Sequence, residues 1–192
     1  CYEEFKNRLV AATKSMQIGP AWDPGTAVGP VVDGGSRRKI QEYVELGKQE
    51  GTLLVQRDVP AGGFYVGPAI FEGITPEHRL AQEEIFGPVV ALMRATDFDH
   101  AIALANSTRF ALTGAVYSRS PYNIQQAYEE FDVGNLYINR GSTGALVWRQ
   151  PFGGYKMSGV GTKAGGPDYL QHFMVPRTVS ENTMRRGFAP ED

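Results

Sequence analysis

The sequence predicts an α/β fold, a parallel sheet flanked by helices, on three observations. From Val89 to Ile138, apolar runs of strand length alternate with segments of helical period. That is the order of a chain passing from one parallel strand to the next through a crossover helix, for which a right-handed connection is expected. Val89 to Met93 is a continuous apolar run, as a buried parallel strand requires. The 23 glycines and 12 prolines stand between the periodic segments instead of in one linker, which fits tight connections inside a single fold.

Taken in order, the chain opens in a helix whose apolar positions are Phe5, Leu9, Ala12 and Met16. No capping residue precedes Tyr2, so a segment upstream of this chain is expected. A Gly/Pro-rich loop from Ile18 to Gly35 leads to Ser36, read as the cap of a second helix with Ile40, Tyr43, Val44 and Gly47 on its inner face and Gly51 at its end. Leu53 to Val55, Phe64 to Val66 and Ala69 to Phe71 read as short strands, the last two split by Gly67 and Pro68. After the strand at Val89, Asp97 caps a helix reaching about Asn106. Ala115 to Tyr117 is a further strand. Ser120 and Pro121 supply a cap and a first-turn proline for a helix reaching about Phe131. Leu136 to Ile138 is the next buried strand. Gly-rich loop follows to about Gly166, and Phe173 to Val179 alternates like an exposed strand in need of a partner edge. Residues 1–166 therefore read as one catalytic-domain piece and 167–192 as a tail.

Composition narrows the function classes. With 19 basic and 21 acidic residues the net charge is -2, which gives no electrostatic footprint for nucleic acid or an anionic membrane surface. No apolar run approaches the roughly 20 residues of a transmembrane helix. A single cysteine, Cys1, rules out a disulfide framework and fits a reducing, cytoplasmic setting. His78, His100 and His172 are scattered without metal-ligand spacing, so no metal site is expected. No Gly-x-Gly-x-x-Gly or Walker-type loop appears, which weighs against an unrelated nucleotide-binding domain.

Three motifs go further than periodicity. Gln82-Glu83-Glu84-Ile85-Phe86-Gly87-Pro88-Val89 resembles the Glu-x-Phe-Gly-Pro box of the aldehyde dehydrogenase superfamily. Pro151 to Gly159, Pro-Phe-Gly-Gly-Tyr-Lys-Met-Ser-Gly, is similar to its Pro-Phe-Gly-Gly-x-Lys-x-Ser-Gly box, and Gly134 to Asn139 resembles the strand between. Their order and spacing carry more than any one of them. Thr143-Gly144-Ala145 ahead of Gln150-Pro151-Phe152, together with Lys163 to Leu170, resembles the glutamate-semialdehyde (1-pyrroline-5-carboxylate) dehydrogenase branch. The resemblance runs the length of this chain but covers only the C-terminal part of the family's length.

The resemblance implies roles residue by residue. Glu84 would accept hydrogen bonds from the two hydroxyls of the ribose beside the nicotinamide and so orient the ring for hydride transfer; apart from the motif it reads as an ordinary solvated glutamate. Phe86 would be an apolar wall near the ring, or a plain core aromatic; both readings are open. Gly144 and Ala145 would bind the carboxylate at the far end of the substrate through exposed backbone N–H groups, against the alternative of an ordinary turn. Ser142 or Thr143 could add a hydroxyl. Phe152 would pack on the aliphatic part of the substrate, or sit in the core. Glu83, Lys156 and Ser158 read as structural. Asn135 and Asn139 either brace active-site loops or make strand-end hydrogen bonds.

Cys1 stands in the wrong context to be the nucleophile. It opens a helix that, by resemblance, follows the family's nucleophile by about a dozen residues. No catalytic residue is assigned to this chain; the nucleophilic cysteine and the general-base glutamate are expected upstream, so the chain alone is expected to be inactive. The intact enzyme would form a thiohemiacetal and then a thioester, releasing glutamate by hydrolysis. The expected cofactor is NAD, with NADP left open, and the tail strand implies a homo-oligomer. The competing readings are another semialdehyde dehydrogenase, for example one acting on succinate semialdehyde, and a non-catalytic interaction module.

Overall fold

Thirteen short elements are arranged in two layered units in the computed structural model, which describes residues 1–183. Helices α1 (Tyr2–Ser15) and α2 (Gly34–Glu50) precede β1 (Thr52–Gln56) and β2 (Ala69–Glu72). The single turn α3 (Arg79–Gln82) leads to β3 (Val89–Leu92), then α4 (Phe98–Asn106), β4 (Phe110–Ala111), β5 (Thr113–Val116), α5 (Pro121–Glu130) and β6 (Asn135–Ile138). The small strand β7 (Tyr155–Lys156) and a 3-10 turn (Tyr169–Phe173) complete the order.

The first unit is the sheet β1-β2-β3 between two helices. Strand β2 pairs parallel with β3, in register Ala69 with Val89 through Glu72 with Leu92. One face of this sheet, at Val55, Ile70 and Leu92, packs on Tyr2, Leu9 and Val10 of α1. The other face, at Ala69 and Phe71, packs on Tyr43 and Val44 of α2 with Ile74 and Leu80. Phe71, Ile40, Ile70 and Val44 are the largest fully buried side chains. Truncating such an aromatic to alanine costs about 3–5 kcal/mol. The second unit is a strand-helix-strand piece: β5 and β6 pair parallel, and α4 and α5 cover them through Ile102, Val116 and Ala127.

The α/β class and the parallel pairing of the sequence reading hold, with local corrections. The strands do not join into one parallel sheet among the described residues: the ladders are β1-β2-β3, β4-β7 and β5-β6, and β1 runs antiparallel to β2. Residues 64–66 form no strand, because their backbone serves the loop instead, Val31 N–H donating to the Phe64 carbonyl at 2.8 Å. The α2 cap is Asp33, whose carboxylate accepts from Ser36 N–H, so the helix starts two residues earlier than Ser36. The inner stripe of α1 is rotated: Phe5 is 57% exposed and Ala12 and Met16 lie outward, whereas Thr13 is buried. Lys6 occupies that inner side because its ammonium reaches Glu72 at 2.9 Å, leaving its stem to cover apolar surface. Val90 is 43% exposed, so β3 is not covered on both faces. Asp97 and Ser120 cap α4 and α5 as expected. Phe173 ends the 3-10 turn and residues 174–183 make no ladder. A strand in that segment would need an edge from elsewhere. The rest of the 167–192 tail, residues 184–192, lies outside the described residues.

Candidate functional site

The stretch from Glu83 to Pro88 leaves α3 and enters β3, and α2 holds its beginning in place. Arg79 grips the Glu83 carboxylate with two hydrogen bonds, at 2.8 and 2.9 Å, and the Tyr43 hydroxyl donates to the same carboxylate. The Arg79 guanidinium, with Tyr43 as the second donor, holds the Glu83 carboxyl down from the usual 4.5 to about 2. One turn back on α2, Lys39 Nζ donates to the Glu84 carbonyl at 2.9 Å. Glu50 closes the other side by accepting from the N–H groups of Arg79 and Leu80, which takes the place of a side-chain cap on α3. Glu83 is thus structural, as its sequence context implies.

The next residues project outward. Glu84 is exposed, and among the described residues no cation lies within ion-pair distance of its carboxylate, whereas Glu83 beside it is fully engaged. Phe86 has a left-handed backbone, φ 58°, and a side chain 82% exposed. Such a conformation is costly for a bulky residue. The core reading of Phe86 fails on that exposure; the ring faces outward on the same short loop as an unpaired carboxylate. A free carboxylate that accepts from hydroxyls and an exposed ring fit the ribose and the flat ring of a nucleoside.

The second cluster forms around the loop after β6. Gly144, Ala145 and Phe152 line one open cavity of about 540 Å³ together with Leu112, Thr113, Ser142 and Thr143. Gly144 has φ 83°, a conformation that glycine adopts without steric cost. Phe152 is partly exposed, at 38%, and its backbone pairs in both directions with Ala164 at 2.9 Å. Leu112 and Thr113, from the β4–β5 junction, are cavity residues that sequence reasoning missed; their signal was only a strand start.

Asn135 braces this loop. Its Nδ2 donates to the Pro151 carbonyl at 2.9 Å and its Oδ1 accepts from Gly153 N–H at 3.1 Å. Both carry long-range loop contacts, beyond strand-end bonding. Beside it Gly134 is a forced glycine, since a Cβ there would stand 1.9 Å from the Gly153 carbonyl oxygen. Lys163 Nζ donates to the same carbonyl at 2.8 Å, and burial pushes its ammonium pKa down. Asn139 locks a different loop, exchanging two hydrogen bonds with the backbone of Ser118. Lys156 caps the end of α4, donating to the carbonyls of Asn106 and Thr108. Ser158 Oγ accepts from Ala111 N–H at 3.0 Å. Both are structural, and Cys1 stands exposed at the start of α1. No helix among the described residues is long and apolar enough to cross a membrane.

The profile of the aldehyde dehydrogenase family matches residues 1–179. The chain is 51% identical over 181 residues to 1-pyrroline-5-carboxylate dehydrogenase of Geobacillus thermodenitrificans, covering 94% of this chain and 35% of that protein. It is 48% identical to the enzyme of the same name from Bacillus subtilis, with the same coverage. In three dimensions it matches proline utilization A of Bdellovibrio bacteriovorus with a TM-score of 0.91 and 52% identity, over 100% of this chain and 20% of that one. It matches the Thermus 1-pyrroline-5-carboxylate dehydrogenase with bound NAD with a TM-score of 0.86 and 44% identity, over 90% of this chain and 33% of that one. The chain spans about 35% of the length of the curated relatives it matches. With an outward carboxylate and ring at one loop, a small-residue cavity at the other and a matching profile over nearly all its length, the chain belongs to the aldehyde dehydrogenase family.

Proposed function

We propose that this chain is the C-terminal part of an NAD-dependent dehydrogenase that oxidises L-glutamate 5-semialdehyde to glutamate, in a cytoplasmic setting. The observation that carries the substrate half is the single cavity shared by Gly144, Ala145 and Phe152. A five-carbon semialdehyde presents an aldehyde at one end and a carboxylate at the other. In this reading the N–H groups at Gly144 and Ala145 take the carboxylate, with Ser142 and Thr143 hydroxyls nearby, and Phe152 covers the methylenes. Backbone donors suit an anion that must also leave as product, because they offer direction without a full opposing charge.

On the cofactor side, Glu84 accepts from the ribose hydroxyls and Phe86 shields one side of the ring. A bound nicotinamide would supply the hydride acceptor; Glu84 and Phe86 would hold and orient it, and a misplacement of about 1 Å can cost on the order of 100-fold in rate. The bond-making thiolate and the base come from outside this chain, so the isolated chain binds and positions without turning over. That the Thermus relative was solved with NAD bound supports a nicotinamide dinucleotide of the NAD type as the cofactor. The segment from Phe173 to Val179, exposed and without ladder partners here, is the edge through which copies join. Loss of the oligomer on deleting residues 172–192, seen by size-exclusion chromatography, supports that assignment; an unchanged oligomer removes it.

The deciding experiment compares kcat/KM of the full-length protein for glutamate semialdehyde and succinate semialdehyde. A preference for the former supports the assignment, and equal or reversed preference overturns it. Glu84→Gln tests the cofactor half. The expected result is a KM for NAD raised at least about tenfold, because the amide keeps one accepting oxygen and loses the charge and the second acceptor. An unchanged KM and kcat would remove Glu84 from the ribose site.

A further inference from the structure

The turn at Gly144 can present its N–H groups to a carboxylate only if its carbonyl oxygens face away from the cavity, since carbonyl dipoles turned inward would repel the anion. Two side chains meet those carbonyls. Arg140 Nη2 donates to the Thr143 carbonyl at 3.2 Å. With the Gln150 side-chain amide assigned the orientation that satisfies both neighbours, its nitrogen donates to the Gly144 carbonyl at 3.0 Å and its oxygen accepts from Arg140 Nη1 at 3.1 Å. The four residues close a ring: guanidinium, amide and two successive backbone carbonyls. The guanidinium lies over the Tyr137 ring at 5.1 Å, and Tyr137 is only 5% exposed, so its platform is fixed.

The placement decides between contact and support. Arg140 and Gln150 line a depression with Tyr137 and Ile138, and neither lines the cavity of Gly144, Ala145 and Phe152. A cation placed to bind the substrate directly would line that cavity; Arg140 does not, and its donors are committed to a main-chain and an amide oxygen. Arginine suits the task because its planar fork serves two acceptors at once, which a lysine ammonium does not reproduce.

We propose that Arg140 and Gln150 are positioning residues that hold the Thr143 and Gly144 carbonyls away from the cavity and so preset the turn as a carboxylate receptor. The proposal rests on the reading that this turn takes the far carboxylate of the substrate. It makes Arg140 and Gln150 determinants of specificity for aldehydes carrying a terminal anion, while neither touches the substrate. Preorganisation of this kind raises discrimination because the receptor is formed before the ligand arrives.

The readout is the ratio of kcat/KM for glutamate semialdehyde to that for pentanal, a neutral aldehyde of equal chain length, in the full-length protein. A general folding defect lowers both constants and leaves the ratio in place. The unmutated protein is expected to favour the semialdehyde strongly; if it shows no preference, the carboxylate reading itself falls, and the proposal with it. Given that preference, Arg140→Met and Gln150→Leu are each expected to lower the ratio about tenfold, the scale of one charge-assisted hydrogen bond. The double variant should lose less than the product of the two losses, because they act on one ring. Arg140→Lys keeps the charge and loses the two-point grip, so it should fall with Arg140→Met. If Arg140→Lys retains the ratio, the charge is itself the binder and the positional role is overturned. If all three single variants leave the ratio unchanged while the unmutated protein prefers the semialdehyde, the proposal is wrong and the carboxylate reading stands.

Discussion

The two loops of the site are fastened in opposite ways. The Glu83–Pro88 loop is tied largely through ionised groups: Arg79 of α3 and the Tyr43 hydroxyl of α2 on the Glu83 carboxylate, and Lys39 of α2 on the Glu84 carbonyl. The loop after β6 is tied mainly through neutral backbone and amide groups, with Asn135 bridging Pro151 and Gly153 and Phe152 paired to Ala164. The difference matches what each loop is proposed to receive. A receptor built from uncharged N–H groups is easily overridden by a carboxylate nearby, so its supports are best kept neutral or cationic. A loop that offers its own carboxylate to hydroxyls tolerates an ion pair one residue away, provided that pair is closed on itself, as Glu83 and Arg79 are. Charged and neutral fastening should therefore fail differently, and substitutions can separate them.

The largest effect is expected at Gly134. An added Cβ would stand 1.9 Å from the Gly153 carbonyl oxygen, against backbone that cannot swing aside as a side chain would. Gly134→Ala should displace the Pro151–Gly153 loop and lower kcat/KM for the semialdehyde on the order of 100-fold. Affinity for NAD, measured by fluorescence titration, should stay within about twofold, because a single surface-loop shift is not felt at independent sites. Equal losses in both would show that the two loops are one mechanical unit and would end the comparison. Asn135→Ala removes both bridging hydrogen bonds and should cost about 1–3 kcal/mol in urea unfolding. It should also raise the KM for the semialdehyde while sparing NAD. Asn135→Asp keeps the acceptor for Gly153 N–H and adds an anion near the receptor, so it should impair semialdehyde binding more than it impairs stability.

Smaller effects are expected on the charged side. Lys39 is exposed, and exposed charge-assisted contacts contribute about 0–1 kcal/mol. Lys39→Met should weaken NAD binding about two- to fivefold on that scale and leave the preference between semialdehydes alone. A shift in substrate preference on Lys39→Met would mean that the Glu84 loop also shapes the substrate site.

How much of this could be read from the chain alone depends on the range over which each residue acts. The helix caps Asp97 and Ser120 act within three residues and were legible. Motif order singled out Glu84 and the Gly144–Ala145–Phe152 set, and the fold leaves the first exposed and groups the other three at one cavity. The inner stripe of α1 was misread because Lys6 faces inward, which makes sense only with Glu72, 66 residues away. Tyr43 and Glu83 are 40 residues apart, so their pairing left no local sign. Phe86 looked as much like a core aromatic as a site residue, and only its backbone at φ 58° and its exposure separate the two. Arg140 drew no notice and Gln150 only as a member of a motif, since their significance lies in which carbonyls they touch.

The smallest and most discriminating effect concerns pH. Glu83 has its carboxyl pKa lowered by Arg79 and then Tyr43, from 4.5 to about 2. A depressed carboxylate contributes stability that is complete above its unfolded value and is lost as pH falls through the folded one. The contribution should therefore fade between about pH 4.5 and 2, as the unfolded chain takes up the proton before the folded one does. Tyr43 supplies the opposite limb. Its hydroxyl pKa is raised above 10.0, first by donation to Glu83 and then by burial. The unfolded chain then loses that proton first, and the contribution falls again as pH rises past 10.0. The ionisable groups fastening the other loop, Lys163 and Arg140, are cations and not carboxylates, so acid removes no ion pair from it. Amide hydrogen exchange followed as pH falls should show residues 83–88 loosening before residues 150–154. Glu83→Gln should abolish the difference by loosening the first loop at every pH, since a neutral amide cannot hold Arg79 as an ion pair. Parallel loosening of both loops in the unmutated protein would mean that the Arg79–Glu83 pair fastens nothing, leaving Lys39 and the Glu50 cap to hold the Glu84 loop.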